Sequence, residues 1–406
     1  MSKLNELINE LCPDAVEYRK ISQVCNISRG VVISKEDILN NIGVYPVYSS
    51  QTEHNGELGE INTYAFDGEY LTWTTDGANA GTVFYRIGKF SVTNVCGLLK
   101  VIASDNLARY IFHVLSVEAP KYVRSGMGNP KLMSNVMGNI KIPLPPFPVQ
   151  EEIVRILDNF TELTAELTAE LTAELTARKK QYEYYREQLF NLNEETVDYV
   201  CLGDETVGKF TRGSGLQKKD FTDTGVGCIH YGQIYTYYGT YTDKTKTFVS
   251  EEFAQKARKA KCGDLIIATT SENDEDVCKA VTWLGREDIA ISSDACFYAH
   301  NMHPKYVAYF FKTERFQKQK RPLITGTKVR RVNVDNLAKI KIPIPYPGDS
   351  VKSLAEQQRI VDILDRFDTL CDDITQGLPA EIKTRQQQYE YYRDKLLTFP
   401  KAELEV

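Results

Sequence analysis

Three groups of side chains have types and spacings that could support chemistry. GDETVGKFT at 203–211 sets Gly203, Gly208 and Lys209 at the spacing of a phosphate-binding loop. Position 210 is Phe, where such a loop needs Ser or Thr to meet magnesium, and no apolar helix follows. A turn between strands is therefore expected. His300 and His303 are spaced like metal ligands, but no cysteine or carboxylate cluster accompanies them, so packed or surface histidines are expected rather than zinc. Asp76, Asp274 and Asp276 could form a dispersed carboxylate site for hydrolysis, and the sequence alone leaves that open. No dinucleotide loop, serine-nucleophile elbow or kinase signature is present, and the expected catalytic set is none.

The basic residues carry more. Lys318, Lys320, Arg321, Lys328, Arg330 and Arg331 cluster around ITGTK, and Lys121, Arg124 and Lys131 stand more sparsely around SGMGNP. Both groups precede an IKIP segment. Such clusters suit phosphate contact with DNA, with solvated charge or protein contact as the alternative. The sequence does not sort contacts to bases from contacts to the backbone. TTDGANAG at 74–81 reads as a DNA-proximal or structural turn. The net charge of −6 is unevenly spread: residues 16–148 hold 12 basic against 11 acidic side chains, and residues 201–350 hold 23 against 18. The acidity lies in 149–200 (5 against 12) and 351–406 (8 against 11). This balance is weak for a free-standing DNA binder, so a partner is expected to supply much of the phosphate contact.

The elements that position these residues are organised by a duplication. IKIPLP at 140–145 returns as IKIPIP at 340–345, QEEIVRILDNF at 150–160 as QQRIVDILDRF at 357–367, and QYEYYREQL at 181–189 as QYEYYRDKL at 388–396. VEY at 16–18 matches VDY at 197–199, and an insertion around GDSVKSL shifts the second half. Each half reads as a variable domain, a proline-rich exit and a long helix. The helices carry apolar stripes at helical spacing: Ile153, Leu157, Phe160, Leu163, Leu167, Leu171 and Leu175 in the first, Ile360, Leu364, Phe367, Leu370 and Ile374 in the second. Two helices of about 45 residues would each span roughly 65 Å. Pairing them antiparallel buries both stripes. LNELINELCPDAVEY at the start resembles LFNLNEETVDY before the second half, which gives the chain a cyclic character, its first residues packing where the second helix ends. Gly377 and Pro379 predict a kink or short break.

The variable domains alternate runs such as YLTWTT and DLIIATT with Gly- and Asp-bearing turns, predicting a curled sheet with accompanying helices. The fold class is thus α/β (α+β): two pseudo-twofold-related domains separated by two long antiparallel helices forming a coiled-coil spacer. Expected boundaries are 1–148 and 196–350 for the domains, 149–195 and 351–398 for the helices, and 399–406 for a tail. Nine scattered cysteines without a CxxC pair fit reduced thiols, and no secretory or membrane-spanning pattern is seen, so a cytoplasmic location without membrane contact is expected.

The two variable domains, the two repeated helices, IPLPPFPVQEEI and the TAELTAELTAEL run at 164–175 together resemble the specificity subunit of a type I restriction-modification enzyme, most closely type IC. The resemblance covers essentially the whole chain; the GDSVKSL insertion departs from it. It implies a non-catalytic subunit that reads a bipartite asymmetric target in double-stranded DNA, one half per target recognition domain. Two modification subunits complete an adenine-specific methyltransferase, and restriction subunits can join it. S-adenosylmethionine would bind the modification subunits and ATP with magnesium the restriction subunits, leaving this chain without a cofactor. Gln150 and Gln357, with Ile153 and Ile360, match the family's helix start and are expected in helix packing or partner docking. A free-standing DNA-binding or architectural protein and a DNA hydrolase with a dispersed carboxylate site are the alternatives.

Overall fold

The structure, a computed structural model, describes residues 3–124, 128–372 and 376–400. The chain forms two compact units, Met1–Glu170 with Ile382–Val406, and Leu171–Glu381.

In the first unit, β-branched and aromatic runs form a six-stranded sheet in the order Cys25–Arg29, Cys96–Val101, Phe66–Thr74, Val83–Val92, Ile42–Tyr48, Glu57–Ile61. Pairing is antiparallel except between Ile42–Tyr48 and Val83–Val92, where Val47 faces Ser91 and Tyr48 faces Val92 in parallel register. The helix Ala108–Glu118 buries Tyr110, Ile111, Val114 and Leu115 on one face. Trp73, fully buried, donates its indole N–H to the Leu132 carbonyl at 3.0 Å. Truncating such a residue to alanine costs about 3–5 kcal/mol.

The second unit repeats the plan across two five-stranded sheets. One holds Gly208–Arg212, Ala295–His300, Leu265–Ala268, Ala280–Trp283 and Tyr241–Thr242. In the other, Val226–Ile229 runs parallel to Ile289–Ile291, with Cys228 facing Ala290 and Ile229 facing Ile291. This matches the parallel pair of the first unit residue for residue. The helix Pro304–Phe311 buries Tyr306, Val307, Tyr309 and Phe310. The repeated segments pair alike at the domain exits: Tyr18 faces Pro143, and Tyr199 faces Pro343.

The long helix Phe147–Leu189 is continuous over 43 residues. Its repeat, expected over 351–398 with a kink or short break at Gly377 and Pro379, occupies two described helices, Ser350–Asp372 and Leu378–Leu396, the second starting just before Pro379. Proline at the start of the second piece lacks an N–H that would be unbonded there anyway. Ile374 lies outside the described residues.

The apolar stripes are shared between the facing helix and the helix's own domain: Ile360, Leu364 and Phe367 pack with Tyr182 and Leu189, and Ile153 and Leu157 pack with Leu396 and Leu397. Ile153 and Leu157 sit in the core of the first unit, and Ile360 and Leu364 in that of the second, each helix start closing its own domain. Further along, Leu171 is buried, Leu167, Leu175, Phe367 and Leu370 are half-buried, and Phe160 and Leu163 are exposed, Leu163 by 64%. A four-residue repeat drifts about 40° per step on a 3.6-residue turn, so one face cannot keep every leucine covered. Contact between helices is carried largely by aromatics. Tyr185 stacks on Phe367 at 5.7 Å, and the repeat-equivalent pair Tyr392 and Phe160 lies at 6.0 Å.

The first residues pack in the first unit with the end of the last helix. Tyr18 donates to the Phe399 carbonyl at 3.0 Å, and Leu4, Leu397 and Phe399 share one core. Among the described residues, no helix is long and apolar enough to cross a membrane.

Candidate nucleic-acid interface

Each domain is joined to its helix by the same constellation. Gln150 accepts from the Leu107 backbone N–H at 2.9 Å, and Gln357 accepts from that of His303 at 2.8 Å. Arg109 pairs with Asp158 at 3.0 Å, and Lys305 with Asp365 at 2.7 Å. His113 Nε2 lies 2.8 Å from Asp158, where Tyr309 donates to Asp365 at 2.6 Å in the other half. Tyr110 and Tyr306 donate to the Pro143 and Pro343 carbonyls at 3.1 and 2.9 Å. Burial pushes the His113 imidazole below its ordinary range, against the pull of Asp158, and lifts the Tyr309 hydroxyl, with Asp368 and Asp365 adding to that rise. Gln150 and Gln357 are buried, and their amide nitrogens donate to Pro145 O and to Ser353 Oγ. The expectation of partner docking at these two residues is corrected to helix packing: no amide surface is left for another chain.

The basic turns also occupy equivalent places. Arg124 and Lys131 exchange backbone bonds at 3.0 and 3.1 Å, as Thr325 and Arg331 do at 2.9 and 2.8 Å. Each turn is tied to a threonine: Leu132 N–H donates to Thr75 O at 2.8 Å and Val332 N–H to Thr269 O at 3.1 Å. Arg124, Lys131, Lys318, Lys328 and Arg331 are exposed.

The other basic residues are engaged within the chain. Lys320 is fully buried and donates to the Glu275 and Val277 carbonyls at 2.9 and 3.0 Å, so its expected DNA contact is corrected to a structural one. Burial pushes its ammonium below the ordinary lysine range. Arg330 pairs with Asp274 at 2.8 Å, Arg321 with Glu314 at 3.0 Å and Lys121 with Glu118 at 2.8 Å.

Sequence reasoning missed one basic position in each half. The strands Cys25–Arg29 and Gly208–Arg212 both end in an exposed arginine followed by glycine. A Cβ on Gly30 would lie 1.8 Å from Val92 O, and one on Gly213 would lie 2.1 Å from Ser292 O, so close backbone approach requires glycine at both. Arg212 and Arg331 line a cleft of about 440 Å³ with Thr269, Thr270, Asn333 and Asp294. The signal was available as SRG at 28–30 repeated in TRG at 211–213.

The remaining candidates resolve into structure. Asp204 closes a turn through Thr206, and Lys209 enters the strand Gly208–Arg212, where an NTP-binding loop would open a helix. His300 lies in a strand and His303 precedes a helix, and no group of three or more potential ligands gathers among the described residues. Asp276 holds Asn273, as Asp274 holds Arg330. TTDGANAG forms the hairpin turn after Phe66–Thr74, with Gly77 and Gly81 at φ 97° and 86°.

Two copies of one sheet-and-helix scaffold, each presenting a strand-end arginine and a basic turn, define a duplicated two-domain class of protein. The chain belongs to the family described as the type I restriction modification DNA specificity domain, whose profile matches twice, over residues 13–177 and 195–384. It is 32% identical over 379 residues to a Mycoplasma pneumoniae protein named as a type I specificity subunit, covering 93% of this chain and 96% of that one. A Haemophilus influenzae protein named as a type I restriction enzyme specificity subunit is 32% identical over 405 residues, covering 95% and 96%. A chain from a solved type I restriction-modification system has the same fold, with a TM-score of 0.65 at 13% identity, covering 95% of this chain and 98% of that one.

Proposed function

We propose that this chain is the non-catalytic, DNA-reading subunit of a type IC-like restriction-modification complex, its domains at 1–148 and 196–350 each reading one half of a split, asymmetric target. The observation that carries the reading is the repeated basic edge, Arg29 with Arg124 and Lys131 in one half and Arg212 with Lys328 and Arg331 in the other. Features common to both halves suit the phosphate backbone, which is the same at any sequence.

The helices act as an antiparallel, pseudo-twofold spacer whose TAEL repeats set the gap between half-sites; the matched pairs Tyr185–Phe367 and Tyr392–Phe160 support this. Two modification subunits dock on the repeated helix faces, where Tyr184 and Tyr391 are 60% and 61% exposed. S-adenosylmethionine belongs to those subunits, and ATP with magnesium to the restriction subunits.

The test is methylation mapping with the complex reconstituted from this chain and its modification subunits. A split adenine-methylated target, with marks absent when this chain is omitted, is the expected result. Marks independent of this chain, or magnesium-dependent cleavage by the purified chain alone, would overturn it.

A further inference from the structure

Both halves send a segment out from the end of the parallel strand, at the same register and between the same two basic positions. In the first half, Thr93 N–H donates to Tyr48 O at 2.9 Å; in the second, Ser292 N–H donates to Ile229 O at 3.2 Å. Thr93 and Ser292 are also where Gly30 and Gly213 press in behind the strand-end arginines. The emerging segments then differ completely.

After Tyr48 the first half makes a closed loop, with Ser49 N–H donating to Gly56 O at 2.9 Å. His54 and Asn55 both adopt left-handed backbone, at φ 48° and 57°, which non-glycine residues hold only when the surroundings fix them. Arg86 does so. Its guanidinium, 3% exposed, donates to Asn55 O at 2.7 Å and stacks 3.6 Å from the Tyr48 ring centroid, with Nη1 buried and without a hydrogen-bond partner. Asn79 donates to Thr52 at 2.9 Å, and Gly77 N–H to Pro130 O at 3.1 Å, which ties the loop to the Lys131 turn. Glu53, His54 and Asn55 are left exposed at the tip.

After Ile229 the second half makes a short helix, Tyr231–Thr236, tied by Tyr235 to Thr270 O at 2.6 Å, with Thr236 and Tyr237 exposed. Trp283 stands where the sheet register puts Arg86 in the first half.

We propose that this segment is the base-reading element of each half: residues 51–55 in the first, Thr236 and Tyr237 in the second, meeting base edges of duplex DNA between the flanking basic positions. The proposal rests on the DNA-reading function above and adds where specificity resides. What two readers of different sequences share grips the backbone, and what differs at the same place reads the bases. Arg86 is a positioning residue that acts through the Asn55 carbonyl.

The test maps methylation by the full complex on a library randomised in both half-sites, and measures the salt dependence of binding. The double variant His54→Gly/Asn55→Gly deletes two tip side chains yet keeps the left-handed backbone and the carbonyl that Arg86 holds. It should lose roughly ten- to hundredfold discrimination at one or two bases of the first half-site, with the second half-site, the gap and the salt slope unchanged. Arg86→Lys should relax those same positions, while Thr236→Ala/Tyr237→Ala should relax the second half-site alone and tests the element where no left-handed residue is involved. Unaltered preferences in the glycine and alanine variants, or uniform weakening with a shallower salt slope, would overturn the proposal. A wild-type complex that marks no split target would instead defeat the DNA-reading assignment itself.

Discussion

The joint between domain and helix and the edge beyond the parallel strand are both present twice, and they have been kept in opposite ways. At the joint, residue types change while geometry persists: Arg109 becomes Lys305 and His113 becomes Tyr309, yet each still meets the aspartate at 158 or 365. At the edge the strand-end residues Arg29 and Arg212 persist, but a left-handed loop in one half is a helix in the other. A joint has one acceptable geometry that several side chains can meet. A reading edge has a common backbone to hold and different bases to distinguish.

The largest expected effect of breaking this comparison is on DNA affinity. Arg124→Ala/Lys131→Ala in one half and Lys328→Ala/Arg331→Ala in the other should each weaken binding at every sequence and lower the salt slope by about two, since each lost phosphate contact removes about one. Arg330→Ala should leave the slope unchanged, because Asp274 already occupies that guanidinium. Binding titrations across salt concentrations decide this, and equal slopes for all three variants would remove the phosphate role.

Next in size is the joint. Gln150→Leu and Gln357→Leu should each cost about 1–3 kcal/mol, because the half-buried Leu107 or His303 N–H is left without its acceptor. Denaturation midpoints should fall by similar amounts in the two variants. A loss in only one would show that the joints are not equivalent.

Acid should separate the halves by a comparable margin. Burial holds the His300 imidazole down at about 4, while the equivalent strand position in the first half is Val101. With the folded value below the ordinary 6.5, the unfolded chain takes up a proton first, so stability is full above about pH 6.5 and falls as pH drops toward 4. At pH 5 the loss is about 2 kcal/mol. His113 acts in the same direction in the first half, but its Asp158 partner opposes the shift. Each half contains one buried tryptophan, Trp73 or Trp283, so fluorine-labelled tryptophan in this chain gives one signal per half. The Trp283 signal should broaden or shift at higher pH than that of Trp73; the reverse order would contradict the assignment.

The smallest expected change is geometric. Deleting residues 168–171 removes one TAEL repeat and shortens the continuous helix by about 6 Å. Against about 3.4 Å per base pair and the rotation that accompanies each step, this shortens the preferred gap by one base pair and leaves both half-site sequences unchanged. Methylation of a library varying only in gap length reads the shift directly. An unchanged gap would remove the spacer role from the repeats.

Much of the fold was legible because a duplication repeats its own evidence: IKIP, QEEIVRILDNF and QYEYYR located the exits and helices, and Pro379 located the interruption. Residues in helices were easier to place than their partners. Ile153 and Ile360 were recognised as buried, but periodicity gives a face and not all that covers it: each packs on its own domain as well as on residues at the end of the facing helix. The site was read less well. A basic cluster in sequence does not distinguish the exposed Lys328 from the buried Lys320, because only tertiary structure brings the Glu275 and Val277 carbonyls to the ammonium. Arg29 and Arg212 lie far from the basic turns in sequence and approach them only in the fold, Arg29 donating to Ser134 and Arg212 lining one cleft with Arg331.

The central claim is that each half reads its own half-site on a shared scaffold. Its most direct test is to exchange residues 20–140 for the corresponding domain of a relative and map methylation by the reconstituted complex. The account predicts a changed first half-site, with the second half-site retained and assembly with the modification subunits intact. Methylation of both original half-sites by the chimera, or loss of the second along with the first, would contradict it.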